Sequence, residues 1–345
     1  MTACTRRCAL ALTRIGLTVA ALLAVITAAP TPTWAQTNES VLLFTPPIPL
    51  GDSIWMAQKK GYFKDEKLDV TIKWWSSGTL AMQTFQSGKD GKRGFGDFNA
   101  GGDLPAVNFW QNMGGEFAII AAVERDGDGY NGIAKAEIKS GKDLKGKVIA
   151  TRVGSTAAWF VSDYLKSQNM TEADVTIKNL EPQIMPSALD RGDIDAFFIW
   201  EPYGSESLKI SGSKVHRLTN GGGYFNGYYL LGAWKWYLRE HPDVAPRLLR
   251  AIDRGRVYAE AHKDEVLEFA RTEFSVQDTT AIEKQWGFNR RVVGLDKQVW
   301  DDFQRLQVWM KANGLATREY DAKSLFDPKP LQAVLPDRVA PEFLK

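Results

Sequence analysis

The chain has 345 residues, 44% of them hydrophobic and 11% aromatic, with 43 Lys+Arg against 41 Asp+Glu. This is the composition of a globular protein with ample core, and it excludes a disordered, collagen-like or multi-pass membrane chain. A formal net charge of +2 leaves no dense basic surface for a nucleic-acid partner, so none is expected.

The first 35 residues follow rules of their own. Arg6, Arg7 and Arg14 precede an apolar run from Ile15 to Ala29, and Thr33-Trp34-Ala35 closes it with small residues at the −3 and −1 positions. This is the pattern of a secretory leader cleaved after Ala35, and the run is short for a membrane span. Export to the periplasm is therefore expected. Losing the three arginines leaves 40 basic residues against 41 acidic ones, a net charge of −1. Cys4 and Cys8 both lie before the apolar run, so neither suits a lipid anchor, and the remaining chain has no cysteine. Without thiols there is neither a disulfide framework nor a cysteine nucleophile.

Beyond the leader, Val41 to Phe44 reads as a strand, Thr45-Pro46-Pro47-Ile48-Pro49 as a loop and Ser53 to Gly61 as a helix. Val70 to Trp74 is a β-branched strand. After Ser76-Ser77-Gly78, Thr79 to Ser87 forms a helix with Ala81, Met82 and Phe85 on one face. Gly94 to Asn99 is expected to be a strand, and Pro105 suits the first turn of the helix after it. Phe117 to Val123 is continuously apolar, as in a strand covered on both faces. Lys147 to Thr151 is a further strand, and Gly154-Ser155-Thr156 opens a helix carrying Trp159, Phe160, Val161, Tyr164 and Leu165. Val175 to Leu180 and Ala196 to Trp200 continue the alternation, which points to parallel, doubly wound α/β sheets. Tyr224 to Leu231 reads as a strand. The texture then turns helical over Asp243 to His262, Asp264 to Phe274 and Asp296 to Gly314, and the irregular Leu325 to Pro328 is expected to pack back on the body.

The motifs of common catalysts do not hold. Gly141 to Lys147 has the spacing of a phosphate-binding loop, but Val148 stands where a Ser or Thr is needed, and a strand follows the segment instead of preceding it. Gly94-x-Gly96 is only a fragment of a dinucleotide fingerprint. His216, His241 and His262 are scattered, with no second ligand at metal spacing. No Gly-x-Ser-x-Gly elbow is present. Neither a cofactor nor a metal is implied, and the chain is read as a non-enzyme.

What stands out is a set of polar loops between a strand and a helix: Ile48 to Ser53, Ser76 to Gly78, Asn99 to Asp103 and Gly154 to Thr156. In open α/β sheets ligands sit beyond the carboxyl ends of the strands, and free N–H groups at helix starts favour anions. Any one of these loops could equally be an ordinary helix cap.

Three segments carry a family resemblance. They are Pro49-Leu50-Gly51-Asp52 before the helix ending at Gly61-Tyr62-Phe63; Lys147 to Ala150 leading to Gly154-Ser155-Thr156; and Ala188 to Ala196 running into Ile199-Trp200-Glu201-Pro202. Over residues 41 to 330 the chain resembles the periplasmic substrate-binding proteins of ABC importers, in the branch of aliphatic-sulfonate, taurine, nitrate and thiamine-precursor binders. One departure is the longer, basic segment from Gly88 to Asp97. The resemblance implies a type II periplasmic-binding fold with two doubly wound α/β lobes, a hinge of two crossings and a C-terminal helical tail. The expected division is a leader over 1–35, lobe 1 over 36–130, lobe 2 over 131–225, and a return to lobe 1 with the terminal helices over 226–345. Its implied partners are a small-molecule ligand and an ABC permease with its ATPase, and a monomer is expected.

The expected ligand-binding set combines loops and resemblance: Leu50, Gly51, Asp52, Ser76, Ser77, Gly78, Asn99, Gly102, Asp103, Arg152, Ser155, Thr156, Trp200, Glu201 and Tyr228. By resemblance, Ser77, Gly78, Ser155 and Thr156 hold an anionic head. Arg152 could add a charge-assisted bond or simply face solvent. Asp52, Asp103 and Glu201 are acids that suit an ammonium group, so a zwitterion of the taurine kind satisfies both sides, with Trp200 packing on its alkyl part or cation; alternatively Glu201 pairs with a nearby lysine such as Lys209. A sulfonate- or taurine-type ligand is therefore expected. The alternatives are an aromatic carboxylate or a pyrimidine or thiamine-precursor ligand, suggested by Trp74, Trp75, Trp200, Trp234 and Trp236, and, behind these, an enzyme on the same fold.

Overall fold

The computed structural model describes residues 38–48, 51–75, 78–86, 96–222, 225–274, 279–286, 290–317 and 322–344. The expected leader, Leu50, Ser76, Ser77 and most of the basic segment from Gly88 lie outside the described residues.

The chain first builds β1 (Glu39–Thr45), α1 (Asp52–Lys59), α2 (Tyr62–Asp65), β2 (Leu68–Trp74), α3 (Gly78–Gln86), β3 (Phe98–Gly102), α4 (Asp103–Asn112) and β4 (Phe117–Asp126). It then crosses to a second sheet through β5 (Tyr130–Lys135), β6 (Val148–Thr151), α5 (Thr156–Ser167), β7 (Thr176–Asn179), α6 (Met185–Arg191), β8 (Ala196–Trp200), α7 (Tyr203–Ser211) and β9 (Val215–Asn220). On its return it forms β10 (Gly227–Trp234), α8 (Lys235–Glu240), α9 (Val244–Ala261), α10 (Lys263–Phe274), α11 (Thr280–Gln285), β11 (Arg290–Gly294), α12 (Lys297–Ala312), α13 (Ala322–Leu325) and α14 (Lys329–Gln332). The strand orders are β11-β4-β10-β3-β1-β2 and β7-β6-β8-β5-β9. None of the helices among the described residues is long and apolar enough to cross a membrane.

The expected α/β class and helical tail hold, but the sheets are mixed, not wholly parallel. β1 pairs in parallel with β2 and β3, and β6 with β7 and β8, whereas β10 runs antiparallel to β3 and β4, and β5 antiparallel to β8 and β9. The cause is where the chain changes sheets. β4 ends at Asp126 and β5 begins with Tyr130 opposite Trp200, the last residue of β8. β9 ends at Asn220 and β10 begins with Gly227 opposite Asp126, the last residue of β4. A strand that enters from the edge where its neighbours end must run against them.

β3 spans Phe98–Gly102, later than the strand expected from Gly94. Its register with β10 runs from Phe98 opposite Ala233 to Tyr229 opposite Gly102, which places Gly102 at the end of the strand and Asn99 three residues before it. β4 is buried on both faces along most of its length, as its apolar run requires. The helix faces read from periodicity also pack inward. Ala81, Met82 and Phe85 of α3, Trp159, Phe160, Val161, Tyr164 and Leu165 of α5, and Val299, Phe303, Leu306 and Met310 of α12 are all buried. Phe85 stacks on Trp234 at 5.0 Å between ring centroids, so Trp234 is a core residue. Leu325 ends the short α13, and Phe326 bridges to Ile119 of β4, which docks the tail against the first sheet.

Candidate functional site

The parallel strands β1, β2 and β3 of the first sheet, and β6 and β8 of the second, end at the crossings, so the loops and helix starts that follow them face one another. Between them lies a cavity of about 40 Å³. It is lined by Pro46, Ile48, Gly78, Gly102 and Pro105 from the first sheet's loops, Tyr130, Thr156 and Trp200 from the second, and Tyr228 and Tyr229 from the returning strand. None of these lining side chains is charged. A larger groove of about 620 Å³ runs between the flanks of α5 and α12, past Trp159, Arg305 and Trp309, where no strand ends.

Three helices of at least nine residues begin at this cavity: α3 at Gly78, α4 at Asp103 and α5 at Thr156. The positive ends of these helices face it without a cationic side chain, although Leu104 N and Ala157 N already bond to the side chains of Asp103 and Ser155. A Cβ built on Gly78 would stand 3.8 Å from Gly101 Cα and from Gly102 N, so the starts of α3 and α4 lie close together. Asn99 stands beside them: its Oδ1 is 3.4 Å from a Cβ built on Gly101. It is completely buried, and neither its Oδ1 nor its Nδ2 has a hydrogen-bond partner among the described residues. An unsatisfied buried carboxamide is costly, and such groups cluster where a ligand completes them.

Asp103 is the one expected acid that bonds to a wall residue, although it does not itself line the cavity. Its Oδ1 accepts from Leu104 N at 2.6 Å and from the Thr156 hydroxyl at 2.5 Å, and its Oδ2 accepts from Tyr228 N at 3.1 Å. Burial pushes its pKa up to about 6, against the pull of these three donors. Burial also raises Tyr130, with the Asp103 and Asp126 charges adding to it.

The other two acids are engaged elsewhere. Asp52, the first residue of α1, is almost fully buried and receives Arg291 Nε at 2.8 and 3.1 Å and its Nη2 as well. Across the first sheet, Arg291 opposes Glu124, Glu124 opposes Tyr229, and Tyr229 opposes Gly102. The ion pair thus stands in the same row as the cavity wall but behind it. Burial, then the neighbouring Asp52 charge, drives the pKa of Glu124 well above the carboxylate range. Glu201 accepts from Ser205 N at 2.9 Å, Ser205 Oγ at 3.0 Å and Arg217 Nη2 at 3.0 Å. Arg217 is thus a cationic partner of Glu201.

Arg152 turns away from the cavity, donating to Asn179 at 3.1 Å and pairing with Glu181 at 3.4 Å. Ser155 caps its own helix: its Oγ accepts from Ala157 N at 3.2 Å and donates to Arg152 O at 2.7 Å. Gly51 packs against Trp55 and Tyr229. The Tyr228 hydroxyl donates to Asp302 at 2.6 Å, which directs it toward α12. Of the expected set, Gly78, Gly102, Thr156, Trp200 and Tyr228 line the cavity, Asn99 and Asp103 stand beside that lining, and Gly51, Asp52, Arg152, Ser155 and Glu201 lie outside it. The structure adds Pro46, Ile48, Pro105, Tyr130 and Tyr229. The adjacent polar loop and the crossings were the available signals for these. No three His, Cys, Asp or Glu side chains gather as metal ligands among the described residues.

Residues 117–266 match the model of the NMT1/THI5 like family. A putative aliphatic sulfonates-binding protein of Bacillus subtilis is 33% identical over 62% of this chain and 64% of its own length. A taurine-binding periplasmic protein of Escherichia coli is 29% identical over 56% of this chain and 62% of its own. The chain thus spans just under two thirds of these relatives. Among solved structures, the periplasmic aliphatic sulphonate binding protein SsuA of Escherichia coli superposes with a TM-score of 0.72 at 16% identity, covering 86% of this chain and 98% of that one. The desulfurization enzyme DszB superposes with a TM-score of 0.67 at 16% identity, covering 87% and 99%. Both a binding protein and an enzyme therefore share this architecture. The fold is the one that these two solved structures share, and residues 117–266 match the NMT1/THI5 like family model.

Proposed function

We propose that this protein is a non-catalytic solute receptor that captures a small organic anion or zwitterion of the sulfonate or taurine type between its two sheets and delivers it to an ABC importer. The observation that carries the reading is the meeting of three helix starts, at Gly78, Asp103 and Thr156, beside the unpartnered carboxamide of Asn99. Main-chain N–H groups and an amide are neutral donors that suit a sulfonate head with its three acceptor oxygens. The rings of Tyr130, Trp200 and Tyr229 offer an apolar wall to the remainder of the molecule. The names of the two relatives, an aliphatic sulfonates-binding and a taurine-binding protein, support this class of ligand. In this account the leader over residues 1–35 directs the chain to the periplasm, and the crossings at 127–129 and 225–226 act as the hinge.

With Asp52 and Glu201 paired to arginines, Asp103 alone remains to favour an ammonium group, so a simple sulfonate fits about as well as a zwitterion. The same ring-rich lining supports a second reading, an aryl carboxylate or pyrimidine-type ligand. The experiment is equilibrium dialysis of the chain from residue 36 onward against taurine and alkanesulfonates, followed by mass spectrometry of the bound fraction. A receptor returns the ligand unchanged. Conversion to a new product makes the protein an enzyme, and retention of aryl carboxylates alone transfers the reading to the second class.

A further inference from the structure

We infer that Asp103 is a latch that holds the cleft shut by grasping Thr156 across it, before any ligand enters. The inference rests on the reading of the inter-sheet cleft as the ligand site. Asp103 is the first residue of α4, which follows the first sheet, and Thr156 is the first residue of α5, which follows the second. The bond between them, 2.5 Å long and joining residues 53 apart in the chain, spans the two sheets at their open ends.

Two helix starts that point at each other present like partial charges and repel. A carboxylate set between them attracts both. Asp103 does this from within the protein: Oδ1 takes the N–H of Leu104 from its own helix and the hydroxyl of Thr156 from the other, and Oδ2 takes the N–H of Tyr228 where the chain has just returned to the first sheet. It thus satisfies donors that an anionic ligand would otherwise seek. Gly102 makes the approach feasible, because a Cβ there would stand 2.9 Å from Thr156 Oγ1. Asp103 and Thr156 are 0% and 2% exposed, so the contact is dry. The ion pair between α5 and α12, Asp163 with Arg305, is 4.0 Å long with its arginine 46% exposed, which makes it a weak competitor for the same role.

A latch of this kind raises the closed population of the empty protein, and a ligand that takes over the Thr156 hydroxyl replaces one anion by another. Its test is the inter-sheet distance in the unliganded protein. From residue 36 onward the chain has no cysteine, so spin labels on Lys64→Cys, in α2, and Ile184→Cys, before α6, report that distance without interference. We expect a short-distance population that is lost in Thr156→Val, restored in Thr156→Ser, which keeps the hydroxyl, and lost again in Asp103→Ala. Identical distributions in wild type, Thr156→Val and Asp103→Ala overturn the latch, as does an unliganded wild type that is already fully open. A parallel sulfonate titration separates the two claims: a latch without sulfonate binding defeats the ligand reading alone, and sulfonate binding with unmoved distances defeats the latch alone.

Discussion

Gly102 and Thr156 belong to different sheets, yet a side chain on Gly102 would begin 2.9 Å from the Thr156 hydroxyl oxygen. The backbone of Gly102 is ordinary, with φ −69 and ψ 162, so alanine fits its conformation without strain. Gly102→Ala should therefore leave the thermal midpoint almost unchanged while obstructing closure. Affinity measured by calorimetry should fall at least about tenfold, roughly 1.4 kcal/mol. An unaltered affinity would mean that the two sheets need not come this close around the ligand.

Trp200 and Glu201 are adjacent in sequence and differ in role. Trp200 lines the cavity beside Tyr130, and Trp200→Ala should weaken binding with a small loss of stability. Glu201 accepts three hydrogen bonds from Ser205 and Arg217. Glu201→Gln should cost about 1–3 kcal/mol of stability in urea titrations, with ligand affinity little affected. A strong affinity loss in Glu201→Gln at wild-type stability would return that carboxylate to the site.

Arg291 serves two buried carboxyls, Asp52 directly and Glu124 beside it. Arg291→Met removes the only cation of the group and leaves Asp52 uncompensated. Breaking such a pair costs about 3–5 kcal/mol, so the denaturation midpoint should drop sharply. Asp52→Asn combined with Arg291→Met should recover much of the loss, because no uncompensated charge then remains. Equal destabilisation in the single and double variants would contradict a charge-based origin.

Asp126, at the end of β4 where the chain leaves the first sheet, has its pKa pushed from 3.8 to about 7, chiefly by burial. A carboxyl raised on folding binds its proton more tightly when native, so between these two values the native state holds more protons than the unfolded one. Stability then falls as pH rises from about 4 to 7, and Asp103, raised to about 6, acts in the same direction over the lower part of that range. Asp126→Asn keeps an acceptor for Gly129 N, which now donates to Oδ1 at 2.6 Å. It should flatten the fall in thermal midpoint between pH 5 and 8; a profile as steep as the wild type would assign the pH dependence to other groups.

The elements legible in the sequence were those whose own residues carry the signal. The apolar runs of β4 and β8 and the helical stripes of α5 and α12 bury what their periodicity says they should. β5, β9 and β11 escaped because their stability comes from neighbours: β5 carries the buried Asn131, β9 is a half-exposed edge strand, and β11 is anchored by Arg291 on Asp52. The same blindness explains the site. Gly78, Asn99, Gly102 and Thr156 could be read from strand-loop-helix order alone, whereas Asp52 and Glu201 looked free because Arg291 lies 239 residues from one and Arg217 sixteen from the other. Tyr130 and Tyr229 lie in or beside crossings that only the mixed sheet topology defines.

The measurement closest to the central claim is the thermal midpoint of the chain from residue 36 onward with taurine and a series of alkanesulfonates, on wild type and on Asn99→Ala. Because the Asn99 side chain makes no hydrogen bond among the described residues, its removal should cost little stability but much of any anion binding. A ligand at 100 times its dissociation constant adds about 2.7 kcal/mol of apparent stability. The account predicts that a sulfonate raises the wild-type midpoint clearly and the Asn99→Ala midpoint far less. No shift with any sulfonate, or equal shifts in both proteins, would contradict it.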